Sequence, residues 1–105
     1  MASYKKLVRD KIPEIIKANG EEPITKILDD EEYKKELEIK LLEECHEVIE
    51  ASNEDRLEEL ADLYEVIKAL LAIENSSFEE IIKIAKEKEL KRGAFKDKIY
   101  LEGVK

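Results

Sequence analysis

The chain has 105 residues, 43% of them apolar and 44% charged, with a formal net charge of -8. That length and apolar share suit one compact domain over residues 1–105, and the charge argues against a nucleic-acid polymer or an anionic membrane as partner, since either is repelled at long range. Cys45 and His46 are the only cysteine and histidine, which excludes an internal disulfide and a Cys/His zinc site and fits a reducing, cytoplasmic setting. Residues 1–11 lack the apolar core of a signal peptide, and no run approaches the ~20 apolar residues that span a bilayer.

In chain order, a short helix is predicted first. Asp10 stands at its cap and Pro13 in its first turn, Ile12, Ile15 and Ile16 share a face, and Gly20 ends it. Pro23 blocks immediate resumption. Residues 23–28, with Ile24, Thr25 and Ile27, read as a short strand pairing with residues 98–101.

Asp29 and Glu32 form a D-x-x-E start, after which Leu37, Leu41, Leu42, Cys45, Val48 and Ile49 recur at helical spacing to about Ala51. Ser52 and Asn53 interrupt, and a third helix runs to about Glu74 with one apolar row at Leu57, Leu60, Ala61, Tyr64, Ile67 and Leu71. Turning each residue by ~100° puts a second row, Leu63, Val66, Leu70 and Ile73, on roughly the opposite side. A chain this short cannot cover both, so the second row is expected to meet another subunit in a homodimer or larger assembly. Ser77 and Glu80 form an S-x-x-E capping box for a fourth helix carrying Phe78, Ile81, Ile82, Ala85 and Leu90, and Gly93 terminates it. The expected fold is a small, mainly α bundle of about four helices around a long antiparallel hairpin.

The chemistry gathers on the hairpin. Glu44 and Glu47 are three apart on the second helix, as are Glu59 and Asp62 on the third, so each pair shares a helix face. With 27 acids in the chain, one such pair alone reads as a solvated surface. Two pairs at corresponding heights on antiparallel helices, each set into an apolar row, instead call for protonation or for a hard divalent cation such as Mg²⁺ or Mn²⁺. Glu43 is a candidate for orienting or deprotonating a water, against the alternative of a solvated side chain. Lys40 is a candidate for holding a ligand carboxylate or a phosphate, against a plain surface ion pair. Arg9, Lys11 and Arg92, basic residues near the two ends of a chain acidic in the middle, are candidates for phosphate contact, against simple charge balance. His46 is expected on the surface or at an interface, and Cys45 in the core. Tyr64 is expected to pack rather than stack on a base.

At these residues the sequence resembles the MazG-like, all-α nucleoside triphosphate pyrophosphohydrolase superfamily, whose signature is E-x-x-E on one helix and E-x-x-D on the next. The stretches Lys40-Leu41-Leu42-Glu43-Glu44 and Glu58-Glu59-Leu60-Ala61-Asp62 resemble the surroundings of that signature. Tyr4 to Glu14 and Lys91-Arg92-Gly93-Ala94-Phe95 are similar to a compact house-cleaning subgroup. The resemblance implies Mg²⁺ held by Glu44, Glu47, Glu59 and Asp62, with Mn²⁺ as a substitute. It also implies cleavage of a nucleoside triphosphate, standard or non-canonical, between the α- and β-phosphates, by a homodimer or tetramer. It departs from the family in the short gap between Glu47 and Glu59, which shortens the hairpin. Two other readings stand beside it: a phosphoribosyl-ATP pyrophosphohydrolase, which differs in substrate alone, and a non-catalytic helical oligomerisation module.

Overall fold

Asp29 shows how the sequence sets the longest element: its carboxylate accepts a hydrogen bond from the Glu32 backbone N–H at 2.8 Å and opens α2, Asp30–Glu50. A computed structural model describes residues 5–105; Tyr4, at the head of the N-terminal stretch quoted above, lies outside the described residues. Three further helices complete the set: α1, Ile12–Ala18; α3, Arg56–Ile73; and α4, Phe78–Arg92.

Each boundary follows from local chemistry. Pro13 lies in the first turn of α1, where a missing N–H costs nothing, although Lys11 rather than Asp10 stands at the cap. Gly20, at φ 86°, ends α1: its N–H donates to the Lys17 carbonyl and that of Glu21 reaches back to Ile16, the paired bonds of a left-handed helix stop. Asn75, at φ 55°, ends α3 by the same pattern, with Ser76 N–H donating to Leu71. Ser77 accepts from the Glu80 N–H at 3.3 Å at the start of α4, while the Glu80 carboxylate takes the Ser76 hydroxyl at 2.7 Å. The capping box is therefore shared between two serines.

α2 and α3, joined by residues 51–55, are the pair in extensive contact. Their antiparallel arrangement is evident from residues equally far from the connection lying side by side, Glu44 against Glu59 and Asp62. Leu37, 4% exposed, and Val66, 9% exposed, form the core of this hairpin. α4 touches the rest chiefly at its start, where Phe78 stacks on Tyr64 with ring centroids 4.3 Å apart and the rings 2° from parallel. Tyr64 thus packs, as its helical spacing predicts.

Two expectations are corrected. The short β pair does not form: residues 23–28 and 98–101 are both irregular, there is no strand among the described residues, and Ile24, Ile27 and Ile99 are each more than four-fifths exposed. Lacking neighbours to cover one face, neither segment gains from pairing. The assignment of the two rows of α3 is reversed as well. Val66 is buried and Leu63, Leu70 and Ile73 half-buried within one chain, whereas Leu57, Leu60 and Tyr64 of the other row are exposed. The row that shares its side with Glu59 and Asp62 is the one turned towards α2. Cys45 is half-buried rather than fully in the core.

Candidate metal centre

The hairpin sets its acids face to face. Carboxylate oxygens of Glu44 on α2 and of Glu59 and Asp62 on α3 all lie within 4.8 Å of one another, and all three side chains are half-buried. They sit in an open cleft whose lining also includes Glu43, Glu47, Lys40, His46 and Lys6. Glu47, predicted from the sequence with these three, lines the cleft but stands outside the three-oxygen group.

Gathering like charges at the edge of an apolar core has an electrostatic cost, and it favours the protonated form of two members. The Glu44 carboxyl is pushed above its ordinary range, first by desolvation and then by the charge of Asp62, with Glu47 and Glu43 adding to the rise and Lys40 opposing it. Glu59 is raised in the same way, by partial desolvation and then by Glu47, Asp62 and Glu44, with Asp55 contributing last.

Cations offset part of this repulsion. The Arg9 guanidinium, from the segment ahead of α1, donates to an Asp62 carboxylate oxygen at 2.6 Å. Lys40, its side chain only 22% exposed, pairs with Glu43 at 3.4 Å. Arg9 comes from a segment that folds over the two helices, about which the stripes of α2 and α3 carry no information. His46 is exposed at the rim and lies 3.0 Å from Glu50.

Of the basic candidates, Arg9 and Lys40 reach the site. Lys11 and Arg92 do not line the cleft: Lys11 is exposed at the cap of α1, and Arg92 is exposed at the far end of α4. Lys6 lines the cleft and was not singled out from the sequence. Its signal was its place in the same basic run as Arg9, three residues before it.

The donor set fits a hard divalent cation. Three convergent carboxylate oxygens, with no sulfur or imidazole among them, are the chemistry that Mg²⁺ or Mn²⁺ prefers, and a cleft open to solvent leaves room for water and phosphate oxygens.

Comparison with known proteins adds little. Over 49 residues, 47% of this chain, it is 47% identical to an uncharacterized protein of Mycolicibacterium smegmatis (strain ATCC 700084 / mc(2)155), and the match covers 50% of that relative, so the chain spans about half its length. No family model matches the chain, and no solved structure does. No described helix is long and apolar enough to cross a membrane.

Proposed function

We propose that the chain is a divalent-cation-dependent nucleoside triphosphate pyrophosphohydrolase of the MazG-like kind, releasing a nucleoside monophosphate and pyrophosphate. The observation that carries this reading is the convergence of Glu44, Glu59 and Asp62 from two helices to within 4.8 Å, with Glu47 lining the same cleft. Like charges on a surface repel, and a cation bound between the acids at the edge of this core would relieve that repulsion.

Glu44, Glu59 and Asp62 would hold Mg²⁺ or Mn²⁺, with Glu47 beside them. A cation held there would supply neutralisation of phosphate charge, which is the main requirement of phosphoryl transfer. Glu47 accepts a proton from the attacking water. The water oxygen bonds to a phosphorus flanking the α–β bridging oxygen, the bond to that bridging oxygen breaks, and pyrophosphate separates from the monophosphate. Glu43, tied to Lys40, holds that lysine at the cleft, and Lys40 and Lys6 meet the phosphate oxygens. Arg9, now on Asp62, is close enough to exchange that carboxylate for a phosphate. The setting is the cytoplasm, which suits a lone free cysteine.

The test is pyrophosphate release from a panel of standard, damaged and phosphoribosyl-bearing triphosphates with Mg²⁺ or Mn²⁺, comparing wild type with Glu47→Gln. Release at least a hundredfold slower in the variant is expected for loss of a general base. No release from any member by the wild type overturns the proposal, and exclusive use of phosphoribosyl-ATP reassigns the substrate.

A further inference from the structure

The chain ahead of α1 runs over the acidic cleft. Lys6 lines that cleft, and three residues further on the Arg9 guanidinium donates at 2.6 Å to Asp62, one of the three convergent carboxylates. From Arg9 the chain turns directly into α1, with the Ile12 N–H donating to the Arg9 carbonyl at 3.0 Å. Residues 5–18 are therefore one unit, a stretch of irregular chain followed by a seven-residue helix, and its leading part lies against the site.

Elsewhere this unit is lightly held. α1 buries none of its residues, Leu7, Ile12 and Ile16 are half-buried, and the extensive helix contact among the described residues is between α2 and α3. Behind α1, Gly20 at φ 86° has nothing within 4 Å of where a Cβ would stand. Residues 21–29 are irregular, with Ile24 and Ile27 exposed. A segment with few buried contacts and an exposed, irregular connection opens at small free-energy cost. The Arg9–Asp62 bond fastens it, and that bond is itself weak, its side chains being 60% and 46% exposed. An Asp62 carboxylate that ligates a cation turns its oxygens to the ion, and the ion's charge repels a guanidinium at the same carboxylate.

We propose that residues 5–18 form a strap, fastened across the acidic cleft by Arg9 and released when Asp62 ligates a divalent cation. This rests on the cation reading given above and adds a control on access to the same site. Fastened, the strap lies over a cleft whose five acids repel an incoming phosphate. Released, it opens the mouth of the cleft and leaves the Arg9 guanidinium unspent, at a place where a phosphate-bearing ligand would enter. Access for such a ligand is conditional on the cation.

Limited trypsin digestion of the whole chain is the test, with cleavage after Arg9 and Lys11 followed by mass spectrometry and cleavage after the exposed Lys98 as internal reference. Where opening is fast relative to cleavage, the rate tracks the open fraction. Saturating Mg²⁺ is expected to speed cleavage at the strap about two- to fivefold relative to Lys98, the range that loss of one exposed ion pair allows. Asp62→Asn without Mg²⁺ is expected to show the same increase, and Mg²⁺ to add nothing further. Should Asp62→Asn disturb the hairpin, Arg9→Gln, read at Lys11, removes the other partner of the bond with the same expected result. A strap cleaved no faster in these variants than in wild type overturns the fastening. A Tm raised by Mg²⁺ without faster cleavage at the strap overturns the release and leaves the cation reading standing, whereas no rise in Tm overturns both.

Discussion

Arg9 and Asp62 are 53 positions apart in sequence and 2.6 Å apart in space, so the segment before α1 is fastened to a member of the acidic cluster on α3. Both side chains are about half exposed, which limits such a pair to about 0.2–1 kcal/mol. The guanidinium and a divalent cation compete for the same carboxylate. Arg9→Gln is expected to tighten Mn²⁺ binding by up to about fivefold, measured by titration calorimetry without nucleotide, while raising KM for the triphosphate. Weaker Mn²⁺ binding in the variant would show that Arg9 supports the cluster rather than competing for it.

Cation binding to the folded state alone raises stability by mass action. At a free Mg²⁺ concentration a hundred times Kd the gain is about 2.7 kcal/mol, visible as a rise in Tm. Asp62→Asn removes one of the three convergent oxygens and is expected to abolish most of that rise, whereas Glu65→Gln, on the same helix but outside the cluster, leaves it intact. An undiminished rise in Asp62→Asn refutes the cation site.

Without divalent cations, stability has a definite pH slope. Glu44 and Glu59 are raised in the folded protein, so folding favours their protonated forms. Their contribution is fully present below the unfolded carboxylate range and is lost as pH rises through the raised values. Tm of the cation-free protein is therefore expected to increase as the pH is lowered from neutral towards the upper carboxylate range, and Glu44→Gln with Glu59→Gln flattens that increase. Asp29 has the opposite sign: held down by the Glu32 backbone hydrogen bond, it stabilises above its unfolded value and loses that contribution only at more acidic pH. With saturating Mg²⁺ the first slope reverses, because protons and the cation compete for the same oxygens.

Leu37 is 4% exposed in a chain with very little buried core. Leu37→Ala is expected to cost about 2–5 kcal/mol, read by urea denaturation at fixed protein concentration, and to weaken Mg²⁺ binding as the two helices lose register. Leu90→Ala, at 89% exposure, should change stability by less than about 0.5 kcal/mol.

The helices were legible in the sequence because their signals are local. Asp29 with Glu32, Ser77 with Glu80 and Gly20 after α1 act within four residues, and all three function at the ends where the pattern puts them. Glu44, Glu59 and Asp62 were legible too, because spacing on two helices joined by a short connection fixes which residues face each other. What failed depended on partners distant in sequence. Residues 23–28 and 98–101 share strand-like composition, but composition does not say whether two segments meet. The two rows of α3 were both visible, yet periodicity alone does not say which row turns inward. The acids of that row decide it, by facing Glu44. Arg9 was noticed as a basic residue, while its bond to Asp62, and the presence of Lys6 in the cleft, depend on how the chain ahead of α1 folds back.

The short connection at residues 51–55 also sets the order of events as the protein is made. Contacts between sequence neighbours close with little loss of chain entropy, and folds built from them form in microseconds to milliseconds. Synthesis proceeds at about 5–20 residues per second, thousands of times more slowly. Once Ile73 is free to fold the hairpin can zip shut, and Glu44 meets Glu59 and Asp62 without any contribution from α4. The acidic face is thus a product of the hairpin alone, assembled by its own local folding.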